Sequence, residues 1–283
     1  MGLNISLGGQ RLSGVDNVGV EWLIGRDGIK GWWSSPAPRL STGNRVRRHG
    51  AWVGDSWLTA RTVTIDGWVF AASHAAAEDA LSRLAVAASL DDTVLTVSGG
   101  ASTTWARVRR SDDVQMAWIT DREARWSISL LAADPRRLGV EMTGSSEPAS
   151  VRGGLRIGQG RTLGQIPFRI ESHITAGIVR LNSPGNITGP VVCRIDGPVV
   201  APMITHVGPS GTHILSLSLT LGDREWVTVD MDRREVLAQG TEPRNSWVVS
   251  REWSGFEPGA NSWAYSARDG AGLMTVLAVP AWM

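Results

Sequence analysis

What most constrains this chain is a strict two-residue alternation of apolar and polar side chains. Leu215, Leu217, Leu219 and Leu221 are separated by Ser216, Ser218 and Thr220. A strand written this way buries one face and wets the other. Shorter stretches of the same kind at residues 3–7, 18–24, 62–70, 93–97 and 126–130 also read as strands, and Trp118 continues the same sheet. Residues 226–230 and 234–238 add two more, with Gly222, Asp223, Arg224 and Glu225 read as a hairpin loop and Met231, Asp232 and Arg233 as a turn. Asp27-Gly28 and Asp66-Gly67 supply further turn chemistry.

A single segment departs from this period. Ser73 can cap a helix, Glu78 and Asp79 sit towards its start, and Ala77, Leu81, Leu84, Ala85 and Ala88 share a face at helical spacing. The helix is predicted over residues 74–89. Pro135, in the phrase Ala132-Ala133-Asp134-Pro135-Arg136-Arg137, ends the first β-rich region because proline cannot extend a central strand. Residues 139–160 are rich in Gly, Ser and Pro and read as a linker. The expected organisation is therefore mainly β: an N-terminal domain of strands and one helix over 1–138, and a C-terminal β-sandwich over 161–283. No internal repeat is visible.

Composition narrows the function classes. A net charge of +1 gives no general reason for a nucleic-acid or membrane partner, and no apolar run is long enough to span a membrane. The N-terminus lacks the basic start and apolar run of a signal peptide, so synthesis in a cytoplasm without export is expected. Lys30 is the single lysine among 28 basic residues, an arginine bias that reads as a base-composition effect rather than a binding mode. The lone cysteine, Cys193, excludes an intrachain disulfide and a multi-cysteine zinc site, and its apolar surroundings predict a buried, inert thiol.

Catalytic constellations are missing from the sequence. His49, His74, His173, His206 and His213 show no metal-ligand spacing; His206 and His213 flank the turn Gly208-Pro209-Ser210-Gly211 and read as solvated hairpin residues. There is no nucleophile elbow and no phosphate-binding loop; Gly153-Gly154 and Gly158-Gln159-Gly160 read as plain loop glycines. The acid pairs Asp91-Asp92, Asp112-Asp113 and Asp230/Asp232 fall at expected turns, where aspartate accepts local backbone hydrogen bonds. No enzyme activity, cofactor or metal is expected.

Several phrases, in order, resemble the distal tail proteins of bacteriophages with long non-contractile tails (the Dit-like minor tail proteins). Arg61-Thr62-Val63-Thr64-Ile65-Asp66-Gly67 is similar to the strand and turn before the helix in that family. The Ala-Asp-Pro phrase at 133–135 is similar to the one that closes its N-terminal domain. Gly158-Gln159-Gly160 through Pro167-Phe168-Arg169-Ile170 resembles the start of its C-terminal sandwich, and residues 229–236 its central hairpin. Residues 253–261 resemble the Trp…Pro-Gly-x-Asn turn near its end. The resemblance implies a ring-forming N-terminal domain, a galectin-like C-terminal sandwich and a homo-hexamer. It also implies a tail tube protein on one side, a tail-tip hub protein on the other, and tape measure protein and DNA passing through the bore. The implied location is the tail tip of a virion.

Residues 34–50 carry Arg39, Arg45, Arg47 and Arg48 and no acid, and Trp32, Trp33, Trp52 and Trp57 flank them. This stretch is expected to be an extended loop that packs on a neighbouring subunit or faces the path of DNA, against the simpler reading of a mobile basic loop. For Trp32 and Trp33, at a strand end, cover by a neighbouring subunit stands beside burial in their own domain. Trp247, Trp253 and Trp263 are read as packing residues. A sugar platform made by them, which would make the protein an adhesin for host cell-wall glycan, is the alternative.

Overall fold

A computed structural model describes residues 3–99, 102–148, 150–152, 173–175 and 177–283. These residues are mainly β with one α-helix, and the chain divides into two units, Met1–Val140 with Ala281–Met283, and Glu141–Pro280.

The first unit is built on an antiparallel sheet. Its strands run in the spatial order Gln10–Arg11, Asn4–Leu7, Thr93–Gly99, Ser102–Arg110, Glu123–Ala132, Arg61–Phe70, Glu21–Lys30 and Gly14–Val15. Alternation does what it predicts: Arg61–Phe70 buries every second residue, and Val63, Ile65 and Val69 enter the core with Ile128, Leu130, Trp22 and Trp126. The helix His74–Ala87 covers this core with Ala77, Ala80, Leu81 and Leu84, and Ser73 caps it by accepting from the Ala76 N–H at 3.3 Å.

Two turn expectations are overturned. Asp66 and Gly67 lie inside the strand Arg61–Phe70, not at a turn. Gly67 faces Trp126 in register, and a Cβ there would come within 2.6 Å of the indole. Glycine is needed as a seat for a buried tryptophan, not for chain reversal. Asp27 and Gly28 lie within Glu21–Lys30, at an irregularity between Ile24 and Ile29 where the pairing register shifts.

The second unit is a sandwich. One sheet orders Met142–Ser146, Met274–Ala278, Val191–Asp196, Trp226–Asp230, Glu235–Ala238 and Glu242–Pro243; the other orders Gly177–Ser183, Gly259–Ser266, Met203–Gly208, Gly211–Leu217 and Val248–Arg251. Their inner faces share a core of Cys193, Ile195, Val227, Val229 and Val276 against Ile204, Leu215, Trp263 and Tyr265. Burial pushes the Cys193 thiol up to about 12, so it stays protonated and inert, as its surroundings predict.

Residues 215–221 keep their alternation of burial but are not one strand. After Leu217 the Ser218 N–H turns to the Trp247 carbonyl at 2.8 Å, and Thr220–Leu221 pairs with Val199–Val200 in a separate small sheet. Gly222 to Glu225 is accordingly a connection between sheets and not a hairpin, because Trp226–Asp230 pairs with Val191–Asp196 and Glu235–Ala238. Within residues 139–160, expected as linker, Met142–Ser146 is instead an edge strand of the second unit, where its pairing with Met274–Ala278 satisfies its backbone. Residues 153–160, with their glycines, and Pro167, Phe168, Arg169 and Ile170 lie outside the described residues.

Candidate assembly interface

Between Lys30 and Arg61 the chain leaves the first unit's sheet and returns. It is not a loop. Pro38–Asn44 and Ala51–Leu58 form an antiparallel hairpin, here called the arm, that pairs with no other strand among the described residues and is exposed along its whole length. A lone two-stranded hairpin is marginal in water, so its order depends on how it is rooted and on what covers it.

The root is built with care. Trp32 is fully buried in the core of its own unit, whereas Trp33 is exposed. Of these two, then, only Trp33 is available to a neighbour; the alternation of faces at a strand end separates them. Gly31 turns the chain with φ +82°, and a Cβ there would meet the Thr62 carbonyl. On the return side, Thr59 donates from its N–H to the Ala37 carbonyl at 3.0 Å.

Below this lies Arg61, only 1% exposed. Its Nη1 donates to the carbonyls of Gly31 (2.7 Å), Trp32 (2.8 Å) and Ser34 (2.6 Å), and its Nε to that of Pro135 at 2.8 Å. Burial, with the charge of Arg137 beside it, pushes the guanidinium down to about 10, so it remains charged at neutral pH. Backbone dipoles, rather than a carboxylate, face this cation. The Ala-Asp-Pro phrase supplies one of them, and Asp134 fixes it by accepting from the Arg136 N–H at 3.0 Å.

Along the arm the register carries information. Arg39 faces Trp57 and Leu40 faces Ser56, but Thr42 faces Val53 and Gly43 faces Trp52. The second strand thus spends one extra residue near Gly54 and Asp55, a bulge that re-phases its side chains. Trp52 and Trp57, five positions apart, would fall on opposite faces of a regular strand. Here they share one face with Arg39 and Gly43, and Leu40, Val53 and Leu58 share the other. Both indoles are open to solvent, at 67% and 63%. The Arg45 guanidinium stacks 4.6 Å over the Trp52 ring. Arg47 and Arg48 stand in the exposed turn. Of the expected interface residues, the arm brings Arg39, Arg45, Arg47, Arg48, Trp52 and Trp57 together; Trp33 follows the root, and Trp32 is removed to the core.

Trp247, Trp253 and Trp263 make no platform. Trp263 is fully buried and stacks on His206 at 4.8 Å; Trp247 and Trp253 are half-buried against the core. A surface groove of about 590 Å³ on this unit is lined by Arg180, Asn182, Val207, Pro209 and Ser262 among others, with no aromatic ring among its described lining residues.

His206 is not a solvated hairpin residue. It is 1% exposed, because its position in Met203–Gly208 points inward while the hairpin tip stays wet. Its partner across the hairpin, His213, lies 6.1 Å away ring to ring. Asn261 donates from Nδ2 to the carbonyls of Glu257 (2.7 Å) and Gly259 (2.8 Å), which orients its Oδ1 to accept from the Glu257 N–H (3.1 Å) and from His206 Nε2 (3.0 Å). Nε2 therefore carries the ring proton, and Nδ1 is buried without a partner among the described residues. No cluster of His, Cys, Asp or Glu suited to a metal ion occurs among the described residues.

Burial holds the His206 imidazole below its usual 6.5, against the opposing effects of Asn261 and Glu257. Below that value the unfolded chain binds the proton more readily, so the second unit should lose stability as pH falls and regain it above. We expect the melting temperature of the chain to fall between about pH 7.5 and about pH 5, with a portion that His206→Gln removes. Superimposable pH profiles for the two proteins would show that the ring is not responsible.

Comparison with known proteins bears on the fold. No family model and no curated protein matches this chain. The Dit protein of phage SPP1, described as a paradigm of the hub adsorption apparatus in phages that infect Gram-positive bacteria, superposes with a TM-score of 0.65 at 12% identity, over 100% of both chains. Two structures of the phage p2 baseplate match with TM-scores of 0.45 and 0.43 at 10% and 9% identity, over 96% and 95% of this chain. Those values are too low to define a fold. The two-unit, mainly β architecture is similar to that of a known phage protein. In particular, its fold is similar to that of the SPP1 Dit protein.

Proposed function

We propose that the protein is a structural component of a bacteriophage tail, a distal tail protein that assembles into a hexameric ring joining the tail tube to the tail-tip complex. The observation that carries this reading is the arm: a hairpin anchored at its root by a buried arginine, yet exposing two tryptophans and an aliphatic face to solvent. Such apolar area on a fixed projection is interface chemistry. The likeness in fold to the SPP1 Dit protein, described as a paradigm of a hub adsorption apparatus, supports a structural role of this kind. In this reading the role is mechanical and includes no catalytic step, and the location is the virion tail tip. The tube protein and hub protein are neighbours, and tape measure protein and DNA pass through the bore.

The test is native mass by light scattering across a concentration series, with negative-stain images of the same sample. Six-fold rings are expected from the full chain. The double variant Trp52→Ala/Trp57→Ala should lose them, with its melting temperature and far-ultraviolet spectrum unchanged. Rings that persist unaltered in the variant would overturn the role of the arm, and a full chain that remains monomeric at the highest concentration would count against self-assembly.

A further inference from the structure

The groove of about 590 Å³ on the second unit is a trough laid across three strand ends, and the ring reading makes no use of it. Its place follows from the pairing register. Ser262 stands between Arg180 on one neighbouring strand and Val207 on the other, and one step along Ala260 stands beside Asn182. The alternate residues Asn261 and His206 point inward and are buried, so these five side chains share the outer face of the sheet. Alanine and serine in the middle strand make a low floor. Arg180 and Asn182 form one wall, and Val207 with Pro209 the other. The floor is also fixed from beneath: Asn261, between Ala260 and Ser262 in sequence, hydrogen-bonds Glu257, Gly259 and His206. A trough held in shape before a ligand arrives loses little on binding.

Its polar groups are unused. Arg180 forms no ion pair among the described residues, and no carboxylate stands among the groove's described lining residues. The Asn182 amide and the Ser262 hydroxyl likewise have no hydrogen-bond partner among the described residues. Both can donate and accept, which suits hydroxyl groups, whereas an unpaired guanidinium suits a carboxylate. The volume lies within the roughly 300–1,000 Å³ of small-molecule sites, more than a bare carboxylate fills. An extended peptide finds no free backbone to pair with, because the floor strand is already hydrogen-bonded on both sides. An apolar ligand would find only Val207 and Pro209.

We propose that this trough binds an acidic sugar: a hydroxylated ring whose carboxylate pairs with Arg180, whose hydroxyls bond Asn182 and Ser262, and whose C–H face rests on Val207 and Pro209. The site lies within one unit and does not depend on ring assembly.

Saturation-transfer NMR on the full chain tests this, with D-glucuronate as the probe and D-glucose and acetate standing for its ring and its charge. Glucuronate should bind saturably and at least about tenfold more tightly than either of the other two. Arg180→Gln should weaken it about tenfold, since a charge-assisted contact is lost, whereas Arg268→Gln, at an exposed arginine elsewhere on the unit, should leave it unchanged. Ala260→Phe fills the floor at an exposed position and should abolish binding with the melting temperature unaltered. Glucuronate bound no better than acetate would mean an adventitious anion contact and would overturn the sugar. Binding that survives both Arg180→Gln and Ala260→Phe would overturn the location. A full chain that binds none of the three probes would overturn the site itself.

Discussion

Arg61→Met is expected to destabilise the first unit by about 3–5 kcal/mol, measured by chemical denaturation. The side chain that replaces it fills similar space but offers no donor. Four carbonyls, that of Trp32 in a buried site and those of Gly31, Ser34 and Pro135 in part-buried ones, then lose their partner. Each such group retains its desolvation cost without the compensating hydrogen bond. Arg61→Lys should recover only part of the loss, since a single ammonium cannot reach both Pro135 and the three carbonyls at the arm's root as the forked guanidinium does. Amide exchange at residues 31–34 should accelerate in both variants ahead of the rest of the sheet. A loss under about 1 kcal/mol for Arg61→Met would mean that water replaces the guanidinium at little cost, and that the arm is not fixed by it.

The second large effect lies in the sandwich. Asn261→Asp changes one atom's identity and almost no volume, yet it should cost about 2–4 kcal/mol, as much as Asn261→Ala. Wild-type Nδ2 donates to two carbonyl oxygens, those of Glu257 and Gly259. A carboxylate would turn an acceptor towards each of them at a site only 3% exposed. Alanine instead strands those carbonyls, the Glu257 N–H and the His206 ring together. Thermal and denaturant unfolding of the three proteins should place both variants well below the wild type. An aspartate variant as stable as the wild type would show that the turn at 257–261 does not depend on the amide.

These two residues also mark where the sequence stops being legible. Strands with one buried face announce themselves, because burial and period coincide along residues 61–70 and 123–132. The helix announces itself through Ser73 and its apolar face. Arg61 and Asn261 show no role in the sequence, since most of their partners are backbone groups that carry no residue type. One of them, Pro135, is 74 positions away. Asp66-Gly67 misleads for a related reason: the same dipeptide that reverses a chain also makes room for a tryptophan sixty residues away in sequence. In sequence the arm resembles a loop because neither of its faces is buried, so its apolar residues mark no core side. The bulge at Gly54 and Asp55 then breaks what period remained. The basic character of residues 34–50 is plain in the sequence, and Asp112 and Asp113 read there as turn residues.

The last strand of the chain bears on a different matter. Ala281–Trp282 returns to the first unit and pairs with Arg137–Leu138, Leu138 facing Ala281, while Arg137 donates to the Met283 carbonyl at 2.6 Å. The whole sandwich is therefore an insert, leaving and rejoining its host between two adjacent strands. Its two seams lie one strand spacing apart, a gap that a tight turn can close. An insert with that geometry behaves as a cassette: it can be lost, doubled or exchanged for an unrelated domain while the host sheet keeps its register. What the insert carries is thereby uncoupled from the register of the sheet that holds it.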